Sequence, residues 1–206
     1  MTAARSTERA LLAVLPHPDD ETFAVGGTLA RYAAAGVRTV LVICTGGEVG
    51  EISDPALATP ETLGVVRAGE LAASARALGI ARSVTLGYRD SGMAGTPDND
   101  HPASFNQASL DEATGKLVAI VRQERPDVLV TYDDNGFYGH PDHIKAHQIT
   151  VAAFDAAADP ATRAIPVVAV SADGNRGAAL ACGCDDFLAK PFDLDAIERV
   201  VRRWLA

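Results

Sequence analysis

Residues 11–21 read LLAVLPHPDDE, an apolar run that ends in one histidine and three acidic residues. A short continuous run of aliphatic residues is typical of a strand that is buried on both faces of a sheet. The polar residues that follow, from His17 to Glu21, would repel one another unless they were solvated or held a cation. The stretch therefore predicts a buried strand with a functional site at its carboxyl end.

Apolar runs and helical patterns alternate along the rest of the chain. Further strands are predicted over residues 39–44, 83–86, 127–132, 167–170 and 187–189. Helices are predicted over residues 26–35, 62–78, 110–125, 143–157, 177–182 and 194–205. This order predicts an α/β fold: a single doubly wound domain of the Rossmann or flavodoxin type, with three layers and a mainly parallel sheet of about six strands. Residues 87–109 are rich in Gly, Pro, Asp and Asn, and we expect either a long ordered loop or a lid there.

The overall composition limits the classes of partner. The chain has 206 residues and a net charge of −9, whereas a nucleic-acid partner favours a basic face. No apolar run approaches the roughly 18 residues of a membrane span, and the N-terminal residues lack the apolar core of a signal peptide. The odd number of cysteines indicates reduced thiols rather than a disulfide framework. We therefore expect a cytoplasmic protein that binds neither nucleic acid nor membranes.

A second polar cluster follows the fourth predicted strand, where residues 130–147 read VTYDDNGFYGHPDHIKAH. Four of the five histidines fall in these two clusters: His17, His140, His143 and His147. The first and fourth strands are commonly neighbours in a doubly wound sheet, so we expect the clusters to face each other across one crevice. His147 lies one helical turn after His143, and we interpret it as packing or support rather than as a ligand.

The two clusters together supply the ligands of a catalytic zinc site. His17 and Asp20 are close enough along a turn to bind one ion, and His143 would supply a third ligand from across the crevice. Two imidazoles, one carboxylate and a water form an open zinc site, whereas structural zinc sites are closed. Fe²⁺ is an alternative ion for the same donors.

Two further residues lie beside this predicted site. Asp19 would take a proton from a water whose pKa zinc lowers to about 7. His140 would donate to an oxyanion or to a leaving group. The predicted chemistry is metal-assisted hydrolysis of an amide or an ester. Each cluster alone is also compatible with a helix cap or a turn, but their joint occurrence at two strand ends favours the metal site.

Two motifs resemble the signatures of the LmbE/PIG-L family of zinc-dependent N-acetylglucosaminyl deacetylases: PHPDDE at residues 16–21 and GHPDHIKAH at residues 139–147. TGGEVGE at residues 45–51 and GYRDSGMAGTP at residues 87–97 are similar to the family as well. The resemblance covers about residues 9–158. It implies an enzyme that removes an acetyl group from a small-molecule substrate, an N-acetylated amino sugar.

The resemblance also implies a role for each site residue. The implied zinc ligands are His17, Asp20 and His143. Asp19 is implied to be the general base, and His140 to stabilise the tetrahedral intermediate or to protonate the leaving amine. Asp142 would orient His140, and Tyr138 matches a mobile tyrosine that reaches the substrate carbonyl in some members. The positions that match substrate-binding residues are Glu48, Arg67, Asp90 and Met93.

Beyond about residue 160 the sequence departs from that family. Residues 162–206 resemble the last third of a response-regulator receiver domain, in which Ser171 and Lys190 would contact the phosphoryl group. The chain therefore resembles a chimera, natural or engineered. Residues 9–158 would be the deacetylase-like part that carries the metal site, and residues 162–206 would be a β-α-β-α segment that completes the same sheet. We expect residues 1–206 to form a single α/β domain.

Two alternatives to a deacetylase stay open. In the first, the chain binds zinc but is catalytically inert, because the family's C-terminal pocket wall is replaced. In the second, it is a receiver-like signalling module that accepts a phosphoryl group, with Mg²⁺ between carboxylates. The residues for this second role would be Asp19, Asp20, Asp133, Ser171 and Lys190. The histidines of the two clusters argue against it, since imidazole suits zinc better than magnesium. The sequence specifies neither the aglycone nor the oligomeric state.

Overall fold

A computed structural model describes residues 9–157, 167–171 and 186–189, together with residues 195, 199, 200, 202 and 203. Its strands are β1 (Ala10–Leu15), β2 (Arg38–Thr45), β3 (Arg82–Tyr88), β4 (Val128–Tyr132), β5 (Val167–Ser171) and β6 (Asp186–Ala189). They form one sheet in the order β3-β2-β1-β4-β5-β6, and each neighbouring pair is parallel. The predicted parallel sheet of a doubly wound fold is therefore confirmed.

The helices are α1 (Asp20–Phe23), α2 (Gly26–Ala34), α3 (Leu63–Ala77), α4 (Leu110–Glu124), α5 (Gly136–Gly139) and α6 (Pro141–Ala156). The four long helices lie where the patterns predict them, whereas the single turns α1 and α5 have no sequence pattern of their own. Helix α6 begins before residue 143 because His140 caps it and Pro141 occupies its first turn. None of the helices in the described part of the chain is long and apolar enough to cross a membrane.

Two predicted helices fall largely outside the described residues. Residues 177–182 are not described at all, and of residues 194–205 the structure describes residues 195, 199, 200, 202 and 203, each of them helical. Strands β5 and β6 extend the sheet outward from β4. The sheet therefore continues into the C-terminal segment.

Both faces of the sheet are covered, because successive side chains of a strand point to opposite faces. Leu12 and Val14 of β1 pack in a core cluster with residues of α4 and α6. Leu11 and Ala13 pack in a second cluster with residues of α2, with Leu71 of α3 against it. All of β1 is buried, and each buried leucine contributes about 1.5–3 kcal/mol to stability. These two layers of helices fix β1 at the centre of the fold.

The expected adjacency of the first and fourth strands is confirmed. The register pairs Leu11 with Val128 and Ala13 with Val130. Leu15 and Tyr132, the last residues of β1 and β4, consequently lie at the same edge of the sheet. This is the switch point of a doubly wound sheet, where ligands bind beyond the strand ends.

Candidate functional site

The first polar cluster leaves β1 in a tightly bonded turn. The Pro16 carbonyl accepts from both the backbone N–H and the hydroxyl of Thr45, at 2.9 Å and 3.0 Å. The His17 backbone N–H donates to Oδ2 of Asp20 at 2.9 Å, and α1 begins at Asp20. This turn fixes the imidazole of His17 and the carboxylate of Asp20 side by side at the end of β1.

The second cluster leaves β4 through a strained turn. Gly136 and Phe137 have φ values of 62° and 67°, a region that a non-glycine residue rarely adopts. The buried carboxylate of Asp133 accepts the backbone N–H of Phe137 at 2.7 Å. The chain then enters α6, where Nδ1 of His140 accepts the backbone N–H of Asp142 at 3.1 Å. Because Nδ1 of His140 accepts this bond, the proton of its neutral ring lies on Nε2.

The structure brings the imidazoles of the two clusters together. The ring centroids of His17, His140 and His143 lie 4.7, 5.3 and 5.0 Å apart in pairs. Asp20 lies between two of them, with its oxygens 3.6 Å from Nδ1 of His17 and 3.8 Å from Nε2 of His143. The residues predicted as metal ligands from two distant parts of the sequence therefore meet in one place.

Two sets of described residues have potential ligand atoms that all lie within 4.8 Å of one another. The first set is His17, His140 and His143, and the second is His17, Asp90 and Asp142. Every member is buried. A buried group of imidazoles and carboxylates is suited to a metal ion, because both side-chain types are common ligands of transition metals.

The ionisation of the histidines follows from their surroundings. Burial lowers the pKa of His143 from 6.5 to about 4, and burial also lowers the pKa of His140. Burial opposes the charging of His17 too, but hydrogen bonds to three carboxylates raise its pKa well above 6.5. These carboxylates are Asp142, Asp20 and Asp90. His143 is therefore neutral at physiological pH, the form in which imidazole binds metals.

The donor set passes a test of fit to a metal. Nδ1 of His143 is buried and has no hydrogen-bond partner in the described structure, although a buried polar atom normally has one. Nε2 of the same ring lies near Asp20. A buried ring nitrogen without a hydrogen-bond partner is compatible with a role of His143 as a metal ligand.

Tyr132, the last residue of β4, connects the clusters and was not predicted from the sequence. Its hydroxyl donates to Oδ1 of Asp20 at 2.6 Å. Its ring stacks on His143 with centroids 4.2 Å apart, and its backbone carbonyl lies 2.9 Å from Nδ1 of His147. His147 thus supports the site from behind, as we interpreted it. An aromatic hydroxyl at the end of the strand before a histidine cluster is the sequence signal that marks Tyr132.

Asp142 has different partners from those that the resemblance implies. Its carboxylate accepts from Nε2 of His17 at 3.1 Å and from the backbone N–H of Ser91 at 3.0 Å. The Ser91 hydroxyl also donates to it. The link from Asp142 to His140 runs through the backbone N–H of Asp142. Ser91 was not predicted, because it lies 51 residues from Asp142 in the sequence.

Asp19 lies at the mouth of the site with its carboxylate bound to Arg67. Nη2 of Arg67 donates to Oδ2 of Asp19 at 2.5 Å and to the Pro18 carbonyl at 2.6 Å. Nη1 donates to the Gly47 carbonyl at 2.9 Å. Burial raises the pKa of Asp19, and the charge of Arg67 opposes this shift. Arg67, predicted to bind the substrate, therefore also organises the turn that carries Asp19.

The site opens into a cavity of about 600 Å³. The predicted residues among its lining are His17, Asp19, Asp20, Arg67, Asp90, Met93, Tyr138, His140 and His143. Asp142 and Glu48 are not in the lining: Oε2 of Glu48 accepts the backbone N–H of Asp90 at 3.0 Å. Glu48 thus supports Asp90 from behind, while the exposed side chain of Tyr138 stands at the rim.

The segment over residues 87–109 is an ordered wall of this cavity. The Asn99 side chain donates to the carbonyls of Ser91, Gly92 and Met93 at 2.6, 3.2 and 2.9 Å. Phe105 is fully buried and stacks on Tyr88. Of the two expectations for this segment, an ordered loop fits these contacts better than a lid.

Comparisons with known proteins agree with this geometry. The family model PIG-L, described as GlcNAc-PI de-N-acetylase, matches residues 12–154. Two curated relatives are the 1D-myo-inositol 2-acetamido-2-deoxy-alpha-D-glucopyranoside deacetylases of Thermobispora bispora and Streptomyces avermitilis. The first is 53% identical over 163 residues, which cover 75% of this chain and 54% of the relative. The second is 54% identical over 165 residues, which cover 76% and 56%. The chain spans about half the length of these relatives.

A solved structure shares the fold. The N,N'-diacetylchitobiose deacetylase from Pyrococcus horikoshii superposes with a TM-score of 0.59 at 28% identity, covering 72% of this chain and 50% of that chain. None of these matches supports the receiver-like interpretation of residues 162–206, and Lys190 lies outside the described residues. The family match covers well over half of the chain, with both histidine clusters inside it. The chain therefore belongs to the PIG-L family.

Proposed function

We propose that this chain is a zinc-dependent hydrolase that removes the acetyl group from an N-acetylglucosaminyl-type substrate. The observation that carries the proposal is the meeting of three imidazoles and Asp20 at one end of an open cavity, with Asp19 at its mouth. The names of the curated relatives favour 1D-myo-inositol 2-acetamido-2-deoxy-alpha-D-glucopyranoside as the substrate.

The metal would be held by His17, Asp20 and His143. These donors suit zinc, and Fe²⁺ to a lesser extent, better than Mg²⁺. When bound, zinc lowers the pKa of a coordinated water to about 7 and polarises a carbonyl oxygen. Tyr132 and the turn from Pro16 to Asp20 hold the donors in place before the ion arrives.

Asp19 is proposed as the general base. Its Oδ2 is bound by Arg67, so we assign the acceptance of a proton to Oδ1. Arg67 also donates to the carbonyls of Gly47 and Pro18, which fixes its guanidinium beside Asp19. A base held in this way needs no reorganisation when the proton moves.

His140 is proposed to act on the other side of the scissile bond. Its Nδ1 accepts the Asp142 backbone N–H, so its Nε2–H is the group that would donate to the developing oxyanion or to the leaving nitrogen. Asp142 has two roles in this proposal: its backbone N–H sets the tautomer of His140, and its carboxylate holds His17.

The remaining predicted residues are proposed to hold the sugar. Tyr138 and Met93 are exposed at the cavity, and Asp90 and Arg67 offer polar groups there. Glu48 would act through Asp90, whose backbone N–H it accepts. A substrate in this position would have its acetamide near Asp19 and His140 and its aglycone toward the open end.

The proposal is tested by measuring zinc content and acetate release from 1D-myo-inositol 2-acetamido-2-deoxy-alpha-D-glucopyranoside by the full chain. Asp19→Asn is expected to retain zinc and to lose about 10²- to 10⁴-fold in rate. His143→Ala is expected to lose zinc. Asp155→Asn, an exposed aspartate on the same helix as His143, is the matched control and should change neither. Zinc binding without acetate release would contradict the enzyme and favour the inert scaffold.

The receiver-like reading of the C-terminal segment stays a prediction. Asp133 would be the phosphoryl-accepting aspartate in this interpretation, and its carboxylate accepts the Phe137 backbone N–H. The reading requires a mass gain on treatment with acetyl phosphate, and Asp133→Asn should abolish that gain. An unchanged mass in the parent chain would contradict it.

A further inference from the structure

Asp19 has an unusual backbone for a residue with a side chain. Its φ is 119° and its ψ is −33°. Among the described residues, only Asp19, Arg125 and Phe137 combine a side chain with a positive φ. Arg125 caps α4 in the ordinary left-handed region, whereas Asp19 lies beyond it. Such a conformation persists only where the surrounding structure imposes it.

The group that holds this backbone is Glu21. Its Oε2 accepts the backbone N–H of Asp19 at 3.0 Å. Its Oε1 accepts the hydroxyl of Thr22 at 3.1 Å and also the hydroxyl of Ser74. Glu21 is only 1% exposed, although glutamate is rarely fully buried without a partner. A buried carboxylate is unfavourable unless its hydrogen bonds offset the loss of water.

Two residues of helix α3 hold the backbone and the side chain of Asp19. Ser74 contacts Glu21, which holds the Asp19 backbone. Arg67, two turns earlier on the same helix, holds the Asp19 carboxylate. Residues seven positions apart lie on one face of a helix. The face of α3 that bears Arg67 and Ser74 thus fixes the side chain of Asp19 directly and its backbone through Glu21.

We propose that Glu21 is a positioning residue for Asp19, anchored by Ser74, and that it imposes the strained backbone from which the Asp19 carboxylate reaches the cavity. The kinetic part of this inference rests on the proposed function, because it takes Asp19 as the general base. Glu21 does not line the cavity and acts only through Asp19. In this proposal the buried carboxylate of Glu21 directs the side chain of Asp19 by holding its backbone under strain, as is known at functional sites.

The kinetic test compares Glu21→Ala, Glu21→Gln and Ser74→Ala in zinc-loaded protein. Glu21→Ala is expected to lower kcat about 100-fold, the effect of misplacing a catalytic group by about 1 Å, with KM and zinc content unchanged. Glu21→Gln keeps an oxygen that can accept the Asp19 N–H, so it should recover part of kcat. Ser74→Ala leaves Glu21 in place and should have a smaller effect. Glu112→Gln, an exposed glutamate outside the cavity, is the control. A native kcat in Glu21→Ala, or a fall caused by lost zinc, would overturn the proposal.

A double-mutant cycle tests the same contact without turnover. Glycine adopts positive φ at little cost, so Asp19→Gly removes the strain that Glu21 is proposed to offset. Without Glu21 the parent backbone can relax and recover this strain energy, which the Asp19→Gly chain does not store. Glu21→Ala should therefore shift the unfolding equilibrium of the parent chain less than that of the Asp19→Gly chain. The factors by which Glu21→Ala changes the unfolding equilibrium constant in the two chains are expected to differ by roughly 3- to 100-fold, the range measured for residues in contact. Ser74→Ala in the same two backgrounds provides a milder pair, should Glu21→Ala fail to fold.

The two experiments separate the two proposals. Equal shifts in both backgrounds would overturn the positioning role, whatever the activity of the parent chain. Unequal shifts in a chain that releases no acetate would support the Glu21–Asp19 contact and contradict the proposed function instead.

Discussion

The Tyr132 hydroxyl donates a hydrogen bond of 2.6 Å to Oδ1 of Asp20. This bond joins the last residue of β4 to the first residue of α1, and both partners are buried. The Tyr132 ring also stacks on His143. One side chain therefore holds a carboxylate of the first cluster and an imidazole of the second in a fixed relative position.

Removal of the Tyr132 hydroxyl is expected to weaken zinc binding. Tyr132→Phe keeps the ring that stacks on His143 but leaves Oδ1 of Asp20 without this donor. Loss of such an outer contact typically lowers metal affinity about 10- to 100-fold. Competition for zinc against a chromophoric chelator measures the change.

Tyr88→Phe is the matched control for this prediction. Tyr88 is also largely buried, but its hydroxyl donates to Glu112 on α4, away from the cavity. Its loss should leave zinc affinity unchanged. Equal affinity in the Tyr132→Phe chain and the parent chain would show that the bond to Asp20 does not organise the metal site.

Gly136 is expected to tolerate no side chain, for reasons of contact as well as of φ. An added Cβ would lie 2.7 Å from the backbone nitrogen of Ile144 and 2.8 Å from Cβ of His143. Gly136→Ala should therefore push α6 away from the end of β4, at a cost of about 1–3 kcal/mol in the free energy of unfolding. Zinc affinity should fall with it, because His143 moves. Chemical denaturation and zinc titration measure the two effects.

Gly95→Ala separates the effect of positive φ from the effect of close contact. Gly95 has a φ of 82°, but an added Cβ would meet nothing within 4 Å. This variant therefore carries only the backbone strain, and it should leave zinc affinity unchanged. The close approach of Gly136 to α6 would be unimportant if both variants behaved alike.

The sequence predicts the fold and the place of the site because both depend on local patterns. The apolar run over residues 11–15 indicates a buried strand from its own residues, and the cluster after it needs no partner to be recognised. The adjacency of β1 and β4 follows from the topology of doubly wound sheets. Once that adjacency is accepted, His17 and His143 must lie close together.

The hydrogen-bond partners of the site residues could not be predicted from the sequence, because they are distant along the chain. Tyr132 lies 112 residues from Asp20, and Ser74 lies 53 residues from Glu21. Asp142 illustrates the same limit: the family resemblance implied that it orients His140, without showing which of its groups makes the contact. The carboxylate turns instead to Ser91 and His17, because a helix N-terminus directs the backbone N–H, not the side chain, at the capping group.

Cys44 is expected to be unreactive in the folded protein. It is fully buried in β2, and burial raises the pKa of its thiol well above 9.0. Because the thiolate is the reactive form, the parent chain and Cys44→Ala should react with equal amounts of a thiol reagent at pH 8. A difference of one thiol per chain should emerge only after denaturation. A difference in the folded state would contradict the burial of Cys44.

The same pKa shift predicts a pH dependence of stability. The folded state holds the Cys44 proton more tightly than the unfolded state, whose thiol ionises near pH 8.5, roughly the value of a free cysteine. The stability that this thiol contributes is therefore complete below that pH and is lost as the pH rises above it. The difference in free energy of unfolding between the parent chain and Cys44→Ala should shrink between pH 7 and pH 9.5 by linkage alone. Denaturation at both pH values measures it.

Zinc is expected to stabilise the fold, because its ligands come from the ends of two different strands. His17 and Asp20 follow β1 and His143 lies in α6 after β4, so an ion bound to all three favours the folded state over the unfolded one. At a free zinc concentration 100 times Kd, the free energy of unfolding should rise by about 2.7 kcal/mol, and a chelator should reverse the gain. His143→Ala should show no gain. Magnesium at the same concentration should have no effect, since imidazole nitrogens are poor ligands for it. Stabilisation by magnesium but not by zinc would contradict the metal centre and would favour the carboxylate site of a phosphoryl-accepting module, because only that arrangement binds through oxygens alone.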